Sequence, residues 1–214
     1  MSKTLRWGVT VVLMTMIVPS VATAQDFYAA VRGGPGWTPD VHIGVHGAED
    51  AVSFTSGFTG SGAVGYASSW GLRFEGEFGY LYAPVDREEG QSVGGSIKSY
   101  LAMANAYYDL RIPSLGPFTP YVGFGIGAAR VNEDRETLIP GLPGRVRVDE
   151  WRTALAYSGR LGVGYDVNKW LGLSAGYRYL HIDGGTRDGV LPGLTVHSDG
   201  VDNHSFEFGA VFKF

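Results

Sequence analysis

The sequence predicts an all-β chain, an eight-stranded antiparallel up-and-down β-barrel that crosses a membrane. Three observations carry that prediction. The first is alternation in the segment His204 to Phe214, where Phe206, Phe208, Ala210, Phe212 and Phe214 share one parity and Glu207, Gly209, Val211 and Lys213 the other. As a strand it has one aromatic face and one mostly polar or small face. It also ends the chain on an aromatic, with nothing after it to cover that face, so lipid is the expected cover. The second observation is recurrence. Aromatic-capped alternating stretches of roughly ten residues return along the chain, separated by short turns and long loops in turn. The third is composition. Hydrophobic residues make up 44% of the chain and aromatics 13%, yet they are spread too evenly for a spanning helix, which needs about 20 consecutive apolar residues. The 33 glycines among 214 residues follow no collagen period and suit a tightly curved sheet.

At the N-terminus, Lys3 and Arg6 precede an apolar run from Trp7 to Val18, then Pro19 and the small-residue pattern Ala22-Thr23-Ala24. This reads as a secretory signal peptide, residues 1–24, cleaved after Ala24. Residues 25–214 then form one barrel domain, since no Pro/Ser-rich linker divides them. The chain has no cysteine, so it carries neither a lipoprotein anchor site nor a disulfide framework. A net charge of -4 supplies no basic field, and nucleic acid is not expected as a partner.

The strands follow in order. Asp26 to Gly34 alternates Phe27, Ala29 and Val31 against Tyr28, Ala30 and Arg32, which points Arg32 inward. Pro35 to Ser56 is irregular and reads as a first exposed loop. Gly57 to Ala67 places Phe58, Val64 and Tyr66 outside, and a tight turn at Ala67-Ser68-Ser69 leads into the clearest strand, Trp70 to Tyr82. There Leu72, Phe74, Phe78 and Tyr80 alternate with Arg73, Glu75, Glu77 and Gly79. A polar second loop, Ala83 to Ser96, precedes the strand Ile97 to Leu110. A luminal Asn105 would turn Ala102, Ala104, Ala106 and Tyr108 to lipid, although a β-bulge could swap the faces partway. After a turn at Arg111 to Thr119, the fifth strand, Pro120 to Val131, puts Val122, Phe124, Ile126 and Ala128 outside and glycines inside. Asn132 to Trp151 carries charges of both signs and reads as a solvated third loop. The sixth strand, Arg152 to Val167, turns Ser158, Arg160 and Gly162 inward, and the seventh, Trp170 to Ile182, does the same with Ser174, Gly176 and Arg178. Asp183 to Asn203 is the fourth long loop, and the C-terminal segment is strand eight.

The last strand, read as Glu207-x-Gly209-x-x-Phe212-x-Phe214, resembles the C-terminal signal by which outer-membrane barrels are recognised for assembly. Ala104-Asn105-Ala106-Tyr107-Tyr108-Asp109, Thr119-Pro120-Tyr121-Val122-Gly123-Phe124-Gly125-Ile126-Gly127 and Gly176-Tyr177-Arg178-Tyr179 resemble strand motifs of the opacity-type outer-membrane β-barrel family. The resemblance implies residence in the outer membrane of a Gram-negative-type bacterium. It also implies contact with outer-membrane lipid and lipopolysaccharide, and handling by the barrel assembly machinery. Members of that family serve as surface antigens, adhesins or structural proteins, so the resemblance specifies a fold better than an activity.

Function is read from the faces and the loops. An eight-stranded barrel is only wide enough for its own side chains, and the parities nominate Arg32, Arg73, Arg160, Arg178 and Lys213 against Glu75, Glu77 and Glu207 as a luminal charge network. Arg178 and Glu207 reach similar depth and are expected to pair. The leading functional expectation is a rigid scaffold whose loops contact a host or other surface protein. Trp37, Val41, Ile43 and Val45 in the first loop, and Val190, Leu191, Leu194 and Val196 in the fourth, are more apolar than solvation needs. A small porin is the alternative. A lipid-modifying hydrolase is weaker, because His197-Ser198 and His204-Ser205 place each serine and histidine on opposite strand faces. No cofactor is implied. His42, His46 and His181, with Asp40 and Asp183 nearby, are the only metal candidates, and their spacing matches no recognised zinc motif.

Overall fold

The computed structural model describes residues 27–39, 41–45, 48–52, 56–85, 95–138, 145–188, 195–198 and 200–214. The segment read as a signal peptide, residues 1–24, lies outside them. In chain order the strands are β1 (Phe27–Trp37), β2 (Val41–Val45), β3 (Ala48–Val52), β4 (Gly57–Ala67), β5 (Leu72–Val85) and β6 (Gly95–Asp109). They continue with β7 (Phe118–Leu138), β8 (Arg145–Asp166), β9 (Leu171–Ile182), β10 (Gly185–Asp188), β11 (Thr195–Ser198) and β12 (Val201–Lys213). Eight of them close a barrel in the order β1-β12-β9-β8-β7-β6-β5-β4. Neighbours are antiparallel throughout, and the seam pairs Val31 with Ala210 and Arg32 with Gly209.

The outer wall is apolar where a soluble protein would be polar. Phe78 is 62% exposed and Phe208 63%, and Val31, Phe124, Leu155 and Leu161 stand out beside them. So continuous an apolar band needs lipid against it. Aromatic residues crowd both margins of the band. Phe27, Tyr66, Trp70, Phe118, Tyr165 and Trp170 mark the end with short turns, and Trp37, Tyr82, Tyr100 and Trp151 the end with long connections. Short turns are periplasmic and long connections extracellular in such barrels, which orients the molecule. Gly71, at φ +92°, takes the left-handed position that closes the turn between β4 and β5.

The strands are longer than the sequence suggests, and more than half of the first, third and fourth predicted loops is paired. The β7–β8 ribbon runs out to Leu138 opposite Arg145, across most of the stretch expected to be a solvated loop. Its charges fall on both parities, which erases the lipid-facing alternation, but a two-stranded ladder above the membrane needs only backbone partners. The first and fourth loops likewise contain strands. β10, β11, β2 and β3 form a separate four-stranded sheet in that order, with Val196 opposite Val45 at the junction of the two loops. In β6 no bulge occurs. Its register with β5 is continuous from Gly95 to Tyr108, which keeps Asn105 inside and Ala102, Ala104 and Ala106 outside.

The lumen has two zones. Toward the extracellular end, Leu81, Ile97, Leu101, Met103, Val131, Leu180, Ile182 and Val201 pack into an apolar plug, and toward the periplasm lie the charged side chains described below. Luminal glycines admit these side chains. A Cβ on Gly123 would collide with the Tyr107 ring, and one on Gly162 would lie 2.6 Å from the Tyr121 hydroxyl. By contrast, a Cβ on the lipid-facing Gly76 meets nothing within 4 Å. Gly123→Val is therefore expected to destabilise the barrel by about 1–3 kcal/mol through overpacking, and Gly76→Val to leave it unchanged. Denaturant unfolding in micelles, followed by tryptophan emission, measures both. The wild type should give a β-rich spectrum and migrate differently before and after boiling.

Candidate functional site

The periplasmic half of the lumen holds a network of ions almost shielded from solvent. Alternation sends Glu75 and Glu77 inward from β5, Arg160 from β8, Arg178 from β9, Glu207 from β12 and Arg32 from β1, and closure of the barrel brings them together. Arg32 forks onto Glu75, with Nη2 donating to Oε1 at 2.5 Å and Nη1 to Oε2 at 2.9 Å. The Tyr28 hydroxyl also donates to Glu75 Oε1, at 2.7 Å. Glu77 is the hub, because Arg160 Nη1 lies 2.8 Å away, Arg178 Nη2 3.4 Å and Arg32 Nη1 3.8 Å. Asn105 Nδ2 donates to the same carboxylate at 3.2 Å.

Arg160 is the most fully used cation. Its Nε donates to Glu207 at 3.0 Å, its Nη1 to the Tyr107 hydroxyl at 2.7 Å and its Nη2 to Glu77 at 2.9 Å. Arg73 sits nearer the periplasmic mouth. Its Nε lies 2.9 Å from Asp109, its Nη1 3.7 Å from Glu75, and its guanidinium 4.8 Å from the centre of the Tyr107 ring. Among the described residues, four arginines thus meet four carboxylates, and the side chains of Glu75 and Glu77 have no exposed surface. At such low local dielectric a balanced set is required, since an unpaired buried charge is severely penalised.

Several details depart from the sequence reading. Lys213 stands apart from the network. Its ammonium is 2.5 Å from Asp166 at the periplasmic rim, where both side chains are substantially exposed, because β12 has reached the barrel mouth by that residue. Arg178 and Glu207 do meet, at 3.4 Å, but Glu207 is held more closely by Arg160 at 3.0 Å. The register explains this. Arg178 faces Ser205 and Glu207 faces Gly176, so the two must reach diagonally. Asn105 is luminal as its parity suggests, whereas Asp109, Tyr28 and Tyr107 were not nominated from the sequence, though Asp109 and Tyr107 share the luminal parity of Asn105 and Tyr28 shares that of Arg32. Of the C-terminal signal residues, Glu207 is luminal, Phe212 and Phe214 face outward, and a Cβ on Gly209 would lie 2.9 Å from the Arg32 side chain that crosses it.

The histidine-bearing candidates separate. His204 faces outward, stacked on Trp37 at 5.4 Å between ring centres and hydrogen-bonded to Tyr177, whereas Ser205 is fully buried in the lumen. The pair lies on opposite faces of the strand. His181 also faces outward, with Nδ1 2.6 Å from Asp202 and Nε2 3.4 Å from Asp183, and its ring stacks on Tyr157. His46 and the side chains of His42, His197 and Ser198 lie outside the described parts. Among the described residues, no three metal-ligating side chains gather.

A family model described as the outer membrane protein beta-barrel domain matches residues 9–214. An uncharacterised protein of Brucella abortus is 44% identical over 96 residues, which is 42% of this chain and 32% of that protein. An outer membrane protein of Gluconacetobacter diazotrophicus is 29% identical over 178 residues, covering 74% of this chain and 47% of that one. The chain therefore spans less than half the length of these relatives. Among solved structures, Neisserial surface protein A superposes over 88% of this chain and 97% of its own, with a TM-score of 0.54 and 23% identity.

The network is testable through its hub. Glu77→Ala removes one carboxylate from the balanced set and leaves Arg160 and Arg178 to share Glu207, and it is expected to lower unfolding free energy by about 3–5 kcal/mol. Asp166→Ala, which removes the exposed partner of Lys213, is expected to change it by no more than about 1 kcal/mol. Urea midpoints in the same micelle compare the two.

Proposed function

The chain belongs to the outer membrane protein β-barrel domain family, and from that premise we propose that it is a sealed surface scaffold whose extracellular strands bind a partner. The barrel itself is an integral outer-membrane protein, and the resemblance noted above assigns that membrane to a Gram-negative-type cell. The observation that carries the proposal is the filled lumen. Arginine–carboxylate pairs occupy its periplasmic half and an apolar plug its extracellular half, so the interior offers solutes no continuous aqueous path. The porin alternative draws no support from such an interior.

Binding chemistry is left to the extracellular end. There the four-stranded sheet of β10, β11, β2 and β3 has two edge strands, β10 and β3. Among the described residues neither edge is paired with a further strand, and addition of a strand to such an edge is a recurrent mode of protein recognition. A host or other surface protein with an extended segment fits that chemistry. A non-enzymatic role is part of the same reading, since His204 and Ser205 are separated by the barrel wall and a serine hydrolase needs them in hydrogen-bond contact.

Two measurements test the proposal. In planar bilayers the purified protein is expected to show no steady large conductance, and stable channels of porin size would overturn the sealed scaffold. Cells expressing the protein are expected to adhere to a host-cell layer better than cells expressing a variant trimmed of 41–52 and 185–198. Equal adherence would remove the binding role.

A further inference from the structure

The fourth long connection leaves the barrel after β9 and returns at the start of β12, and one imidazole stands between its two ends. His181, near the end of β9, faces outward at the extracellular margin. Its Nδ1 lies 2.6 Å from Asp202, where the chain has come back into β12, and its Nε2 lies 3.4 Å from Asp183, where the chain is about to enter β10. The ring is walled in. Tyr157 of β8 stacks on it at 4.7 Å between centres, and Gly200 approaches so closely that a Cβ there would lie 2.5 Å from the ring's Cε1. Both carboxylates are also placed by other groups. The Tyr179 hydroxyl donates to the same Asp202 oxygen at 2.7 Å, while the Asp183 N–H donates to the Leu155 carbonyl and the Asp183 carbonyl accepts from Arg152 at 2.6 Å.

Proton counting makes this arrangement conditional. An ionised carboxylate can only accept hydrogen bonds, and a neutral imidazole has one N–H and one bare nitrogen, so a ring held between two carboxylates is satisfied on both sides only as imidazolium. The neutral ring leaves one side unmet. The shorter contact and the Tyr179 anchor keep the remaining proton on Nδ1, toward Asp202, which turns the Nε2 lone pair on Asp183. Two carboxylates then face each other across an uncharged ring, and the ends of the connection repel. Among the described residues, the other titratable or charged groups packed around the ring are Tyr157 and Arg152 from β8, Tyr179 from β9 and His204 from β12. His204 is engaged by the Tyr177 hydroxyl and stacked on Trp37.

We propose that His181 is a proton-operated tie at the root of the fourth connection. As imidazolium it holds Asp183 to Asp202 and draws the connection shut, and loss of the proton releases Asp183. The strands β10 and β11 lie in that connection, and β11 pairs with β2, so the extracellular sheet is fastened in acid and loosened toward alkaline pH. The sign follows from the ion pairs, whose stabilisation is present while the imidazole is charged and lost as pH rises through its titration. The tie acts on the sheet to which partner binding is assigned above, but it is read from the sheet's own stability and stands whether or not that sheet binds a partner.

Hydrogen–deuterium exchange of the refolded full barrel in micelles, with a chelator present, tests the tie at about pH 5 and about pH 8, the span over which histidine changes charge. After correction for intrinsic exchange, the wild type is expected to protect the amides of 185–188 and 195–198 about threefold more at the acid pH, the scale of one half-exposed ion pair. The amides of β5 and β6 should be equally protected at both. His181→Gln is expected to abolish the difference at the low level of protection. Asp183→Asn is expected to abolish it at the high level, because its amide donates to a bare Nε2 and keeps the tie closed at either pH. Two variants of one contact thus move in opposite directions, which lost packing alone does not produce. Equal protection of the wild type at both pH values would overturn the proposal, as would a difference that survives in Asp183→Asn. A difference that survives in His181→Gln would also overturn it, since it then belongs to His204 or to the histidines of the first and fourth connections. Ring-nitrogen NMR spectra of the wild type need no variant to fold: at the alkaline pH the neutral His181 is expected to carry its proton on Nδ1, and a proton on Nε2 instead would refute the tie.

Discussion

Backbone hydrogen bonding is the constraint from which the rest of this structure follows. Hydrocarbon offers an amide no partner, so every strand crossing it must be paired on both sides, and a sheet can meet that condition only by closing on itself. Closure through β1 and β12 fixes the circumference at eight strands. Eight strands fix the bore, and the bore admits only the protein's own side chains. The luminal composition is therefore a packing problem set by the wall. Crossing arginines need room, and glycines on facing strands, such as Gly123 beside Tyr107 and Gly209 beside Arg32, provide it.

The same wall separates two chemistries that a soluble sheet would have to compromise. Outward residues meet lipid and carry no charge over the middle of the barrel, while inward residues at the same height carry full charges. Glu77 and Phe78 are adjacent in sequence and differ from 4% to 62% exposure. The pleat alone achieves that separation. It also explains the two-zone lumen. Inward strand faces switch from ionic to apolar partway along, as when Glu77 is succeeded by Leu81 on β5 and Arg178 by Leu180 and Ile182 on β9.

Much of this was legible in the sequence because the strand period is two and a single parity decides each side chain's fate. The clear alternation from Arg73 to Tyr80 gave the lumen's anionic side, and Arg32, Arg160 and Arg178 gave most of its cationic side. Parity does not give depth. Lys213 shares the inward face yet ends at the periplasmic rim with Asp166, and Asp109 completes the balance from a position near a strand end. Nor does alternation report pairing beyond the membrane. Between Asn132 and Trp151 no face is consistently apolar, so the ribbon of β7 and β8 is invisible to a hydrophobic period, although its backbone ladder is continuous. The sheet built from the first and fourth loops escaped for a further reason. Its central junction, β2 against β11, joins residues some 150 positions apart in the chain, and nothing local encodes a pairing that closure alone makes possible.

That junction has a mechanical meaning. The first loop leaves β1 and the fourth returns into β12, so the strands joined above the membrane belong to the two sides of the seam where the chain's ends meet. A barrel opens sideways most readily at such a seam, because nothing covalent crosses it. Here a second, independent ladder spans it from above, like a clasp over a zip. Parting β1 from β12 over their full length must also break β2 from β11, and the hoop strength of the wall no longer rests on one row of hydrogen bonds at that joint.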